Sequence, residues 1–132
     1  MRFGFEVTLR ADGTARFNMF STKQFSENSL LTFAEDPLTG TAVALVGRLY
    51  YQNELKDRLA LNNRQNFLSN ANLVLTIFQR YGQKSLVWLE GEFALVVFDP
   101  EKQQLLAMRD PLGSWPLYWS YNDHMMRVRA LW

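Results

Sequence analysis

Phe93-Ala94-Leu95-Val96-Val97-Phe98 is the longest apolar run in the chain. Glu92 precedes it and Asp99-Pro100-Glu101-Lys102, a turn sequence, follows it. This predicts a strand over 92–98 that returns as a second strand over 104–108. Downstream, 109–115 reads as a loop, and Pro116 to Tyr121 pairs with Met125 to Ala130 around a turn at Asn122-Asp123. Upstream the apolar spacing changes from two to about four. Leu73, Ile77 and Tyr81, with Val74 and Phe78 alongside, predict a helix capped by Ser69 or Asn70 and closed by Gly82. A short helix over 84–89 follows it. Leu55, Leu59 and Leu61 give another short helix its inner face, with a loop over 62–66 between the two. Before the helices come four strands: Phe3 to Leu9, Ala15 to Phe20, Leu30 to Ala34 and Thr41 to Leu49. Asp12-Gly13 turns the first pair, and 25–29 is polar and irregular. Val43-Ala44-Leu45-Val46 is apolar throughout, as expected of a strand covered on both faces. Helices grouped between two blocks of strands predict an α+β protein with antiparallel sheets.

The 132 residues are 48% hydrophobic and 20% charged, which suits one domain over 1–132. Fourteen basic residues against thirteen acidic leave a net charge of +1, giving no reason to expect nucleic acid as a partner. Cysteine is absent, which excludes disulfides, Cys-ligated metals and a thiol nucleophile within this sequence. The single histidine, His124, cannot build a multi-histidine metal site, so no metal is expected. The first residues lack the apolar core of a signal peptide, and no apolar run approaches the roughly 20 residues that span a bilayer. The expectation is a cytoplasmic protein that does not enter the membrane.

Chemical motifs are mostly missing. No phosphate-binding loop and no dinucleotide fingerprint occurs, so no cofactor is expected. His124 falls in a hairpin turn, a poor place for a catalytic base. The carboxylate pairs Glu90/Glu92 and Glu35/Asp36 border strands or turns, where solvated charges are usual. Trp115, Tyr118, Trp119 and Tyr121 could form a stacking platform, but without interleaved lysine and arginine they read as strand residues packed on two faces. Arg109-Asp110 reads as a pair bracing the loop that contains Gly113.

Several segments together resemble one family. Gly91-Glu92-Phe93-Ala94-Leu95-Val96-Val97-Phe98-Asp99 is similar to the G-x-F-A-F-A-x-W-D strand of class II glutamine amidotransferases, the N-terminal domain of asparagine synthetase. Residues 107–118 resemble that family's A-R-D-x-x-G-x-x-P-L-Y-Y, and Gly47 to Leu55 resembles N-G-E-I-Y-N-x-x-E-L. Ser69 to Leu75, continuing to Tyr81-Gly82, matches S-D-x-E-V-I-L…Y-G. The resemblance is good over residues 43–131 and weak over the first forty. It implies an N-terminal-nucleophile hydrolase fold, an αββα sandwich of antiparallel sheets between helical layers, here shortened at the C-terminus.

In active members of that family, an N-terminal cysteine attacks glutamine while an Asn side chain and a Gly N–H hold the oxyanion. Mapped residue by residue, the resemblance places the nucleophile on Arg2, with Met1 expected to be retained. It places the oxyanion Asn on Val46 and its companion N–H on Gly47. The acidic residues that receive the substrate ammonium fall on Arg48 and Asn70. The mapping implies no catalytic residues and a vestigial pocket around Val46, Gly47, Arg48 and Asn70. It therefore implies an inactive amidotransferase-like domain, acting as scaffold or docking module for an asparagine-synthetase-like, ATP-dependent partner or assembling with itself. Two alternatives are a ligand sensor or small enzyme reusing the pocket, with Arg48 beside Asn70, and the N-terminal fragment of a longer synthetase-related chain.

Overall fold

The computed structural model describes residues 3–20, 30–59 and 69–131. In chain order the elements are β1 (Gly4–Leu9), β2 (Ala15–Phe20), β3 (Leu31–Glu35), β4 (Ala42–Tyr50), α1 (Gln52–Arg58) and α2 (Asn70–Tyr81). A 3-10 segment (Gln83–Trp88) follows, then β5 (Glu90–Asp99), β6 (Gln104–Arg109), β7 (Tyr118–Asn122) and β8 (Met125–Leu131). They form two antiparallel four-stranded sheets, ordered β2-β1-β8-β7 and β3-β4-β5-β6.

β4 and β5 explain the layering. They pair from Ala42 opposite Phe98 to Tyr50 opposite Glu90, and alternate side chains leave opposite faces. Val43, Leu45, Leu49, Phe93, Leu95 and Val97 enter one core with Leu73, Val74 and Ile77 of α2. Ala44, Val46, Ala94 and Val96 enter a second core between the sheets, against Phe5, Val7, Val128 and Ala130. Each strand is thus covered on both faces, which is why 43–46 and 93–98 carry no polar residue. Each large side chain so buried contributes about 1.5–3 kcal/mol.

Local signals set the helix ends. Ser69 is the N-cap of α2, its hydroxyl accepting from Asn72 N–H at 3.1 Å. The buried Thr32 hydroxyl on β3 accepts from Ala71 N–H at 3.1 Å, which fastens that end of the helix to the sheet. At the other end Gly82 takes φ +79°, a conformation other residues resist, and its N–H returns to Phe78 C=O at 2.7 Å.

Several expectations need correction. The described helices all pack on the β3-β4-β5-β6 side, so the described residues supply three layers of the αββα arrangement and no helix over the other sheet. The segment after Gly82 is 3-10 rather than α-helix. β7 starts two residues later than expected, and its hairpin turns at Asp123-His124, both at positive φ, not at Asn122-Asp123. β7 is an edge strand exposed along its whole length, so its aromatics do not pack on two faces. Arg2, the irregular stretch at 25–29, Leu61 and the loop at 62–66 lie outside the described residues.

Candidate functional site

Val46, Gly47 and Arg48 follow one another near the end of β4, where β5 begins and the 110–116 loop crosses. Val46 is fully buried between the sheets and offers its surroundings only methyl groups, with no side-chain hydrogen-bond donor. Gly47 adopts φ +114°, and a Cβ there would stand 2.0 Å from the Glu92 carbonyl oxygen. Only glycine fits. Its N–H donates to the Leu30 carbonyl at 2.8 Å, so this donor is already engaged by the protein's own backbone. Trp115 also closes on the position, with Nε1 2.8 Å from where that Cβ would be.

The loop that delivers Trp115 is built around Asp110, which is 1% exposed. Its carboxylate accepts from Phe93 N–H at 3.1 Å, Ser114 N–H at 3.2 Å and Ser114 Oγ at 2.9 Å. Asp110 N–H in turn donates to Phe93 C=O at 3.0 Å, and Gly113 N–H closes the turn on Asp110 C=O at 3.0 Å. These bonds make the brace in place of the Arg109–Asp110 pairing suggested by the sequence. Burial alone would raise the Asp110 pKa. The hydrogen bonds from Ser114 and Phe93 outweigh it and hold the carboxyl below its ordinary value. Trp115, placed by this turn, meets Phe3 with ring centroids 6.1 Å apart.

Arg48 is exposed and stands opposite Glu92 in the β4–β5 register. On the same face, partial desolvation and the nearby Glu92 carboxylate push the Tyr50 phenol above its usual range, with Arg48 opposing them. Asn70 is elsewhere. As the first residue of α2, it accepts from Gln52 Nε2 at 3.0 Å, and that amide also donates to Leu49 C=O at 3.1 Å. Leu49 belongs to the helix-side core, so strand alternation turns Arg48 away from α2. The structure therefore groups Val46, Gly47 and Arg48 and sets Asn70 on the other face of β4, tying α1 to α2.

Two participants went unrecognised in the sequence: the Leu30 carbonyl and the Trp115 ring over Gly47. Neither has a local signal, since both reach Gly47 only through tertiary pairing. The arrangement offers little chemistry. Ser114 Oγ is bonded to a carboxylate too weakly basic to activate it, and His124 sits in the β7–β8 turn. Among the described residues, no group of three His, Cys, Asp or Glu could hold a metal ion.

A family model described as glutamine amidotransferase domain matches residues 13–130. Among curated proteins, "Amidase chry2" of Gibberella zeae is 31% identical over 93 residues, 70% of this chain and 14% of that protein. Asparagine synthetase B [glutamine-hydrolyzing] of Escherichia coli is 34% identical over 84 residues, 62% of this chain and 15% of that protein. "Amidase chyE" of Penicillium rubens is 34% identical over 74 residues, 56% of this chain and 11% of that protein. The chain thus spans only a small part of the length of these relatives. With the family model matched over residues 13–130 and two antiparallel sheets, it belongs to the glutamine amidotransferase domain family.

Proposed function

We propose that this is a non-catalytic member of its family, serving in the cytoplasm as a scaffold or docking module for an asparagine-synthetase-like, ATP-dependent amide-forming chain. We read its two sheets as a shortened N-terminal-nucleophile hydrolase sandwich forming one domain over 1–132. The observation that carries the loss of glutaminase chemistry is the engaged Gly47 N–H beside an aliphatic Val46, in a chain without cysteine. Removing one oxyanion donor costs about 10²–10³ in rate. Here the side-chain donor is replaced and the backbone donor is bonded to Leu30. Without a nucleophile, no covalent intermediate forms at all.

The test has two parts. Purified protein incubated with glutamine is expected to release no more glutamate than buffer alone. Glutamate release that follows the protein through repurification would overturn the loss of activity. A tagged pull-down from the native cells, read by mass spectrometry, is expected to recover an ATP-dependent synthetase-type chain. Recovery of this chain alone would overturn the docking role.

A further inference from the structure

One long side of the sandwich is closed and the other is open. On the closed side the edge strands β2 and β3 meet through Phe17 and Phe33, whose rings lie 5.1 Å apart and edge-on. On the open side the edges are β6 and β7, and a groove of about 470 Å³ runs between them. Leu105, Ala107, Leu117, Trp119, Met126 and Val128 line it together with Arg109. Beside the groove β7 exposes Tyr118 at 62%, Trp119 at 72% and Tyr121 at 63%.

Edge strands left to solvent are normally guarded by lysine, proline or a bulge. β7, Tyr118-Trp119-Ser120-Tyr121-Asn122, holds no charged residue and no proline. Its order is also nearly symmetric about Ser120. Antiparallel pairing with itself across a two-fold axis sets Ser120 against Ser120, Trp119 against Tyr121 and Tyr118 against Asn122. No charge opposes a like charge anywhere in that register. Trp119 already pairs with Val128, and Tyr121 with Met126, on the groove side. Self-pairing would therefore extend each row across the join: Val128 and Trp119 of one protomer meeting Tyr121 and Met126 of the other. Aromatic cross-strand pairs of this kind are favourable beyond the apolar area they bury. The same ladder satisfies the outward N–H and C=O groups of β7.

We propose that β7 is a homodimer interface, at which a second copy of this chain joins the β2-β1-β8-β7 sheet edge to edge and covers the open groove. This stands independently of the lost glutaminase chemistry, which no part of β7 enters. Analytical ultracentrifugation of the purified chain is expected to give a concentration-dependent species of twice the chain's mass. Introducing Trp119→Lys with Tyr121→Lys opposes lysines at both cross-strand pairs and should raise the dimer dissociation constant about tenfold or more. Introducing Trp119→Lys with Tyr121→Glu places opposite charges in the same two positions and should restore most of the dimer. All three side chains replace exposed ones, and circular dichroism checks that each variant folds. A wild-type monomer leaves the groove to some other occupant and overturns the proposal. A dimer indifferent to the two lysines, or lost equally in both double variants, overturns it as well.

Discussion

Asp110 is the one charged residue among those described that is buried. Replacing it with alanine removes the acceptor for Phe93 N–H and Ser114 N–H, at a site shielded from water. Unmet donors of this kind cost about 1–3 kcal/mol each when buried, so Asp110→Ala is expected to lower the unfolding free energy by about 2–6 kcal/mol in urea titrations at neutral pH. The acid limb supplies a second reading. Because the folded pKa lies below the unfolded one, the unfolded chain takes up the proton first as pH falls. The stabilisation is complete above the ordinary value of 3.8 and is lost as pH drops through the folded value. Asp110→Asn should therefore make stability fall less steeply below that point. It will not level the curve, since Asp12 and Asp36 are also held below their ordinary values. An unchanged acid slope would show that the Asp110 carboxylate does not carry this effect. The sequence marks Asp110 as a brace but suggests the wrong partner, its neighbour Arg109. The true partner Phe93 is 17 residues away and becomes a neighbour only when β5 and β6 pair. Gly47 repeats the lesson: its glycine character is legible in the family motif, whereas the Leu30 carbonyl that engages its N–H is a tertiary fact.

At the scale of elements, legibility follows burial. β4 and β5 are apolar on both faces because both faces are covered, and their composition states this directly. The cap of α2 is equally plain, since Ser69 bonds only three residues ahead. β7 is different. Its aromatic composition is the same whether it lies in the middle of a sheet or at its edge, and only the strand order tells the two apart. Its turn was misplaced by one residue for a related reason. Asn-Asp is the better turn dipeptide locally, but Asn122 is taken up as the last rung of the ladder, paired with Met125, which leaves Asp123-His124 as the turn. The two turn residues take φ 54° and 62°, the geometry of a tight hairpin that prefers glycine at its second position. His124→Gly is accordingly expected to stabilise the protein by about 0.5 kcal/mol, the relief of the left-handed backbone exceeding the added freedom of the unfolded chain. A higher urea midpoint with an unchanged slope is the expected result. A lower midpoint would mean that the imidazole makes a contact worth more than the strain.

At the scale of the molecule, the two cores are not separate units, because β4 and β5 contribute alternate residues to both. Opening the helix-side core exposes Val43, Leu45, Phe93 and Leu95, and opening the inter-sheet core exposes their immediate neighbours Ala44, Val46, Ala94 and Val96. Neither can be lost while the other keeps its two central strands in register. Unfolding should therefore be one transition, with near- and far-ultraviolet circular dichroism changing together as denaturant rises. Native-state hydrogen exchange should rank the strands accordingly, with β4 and β5 amides exchanging only through global unfolding and β7 amides through local fraying. The ranking has to be measured on the Trp119→Lys/Tyr121→Lys variant, because in a dimer the outward amides of β7 would gain partners and slow. In that variant fast β7 exchange beside slow β4 and β5 is the expected pattern. If β4 exchanged well before β5, the two strands would not be unfolding as one cooperative unit, and the shared-strand account of this fold would fail.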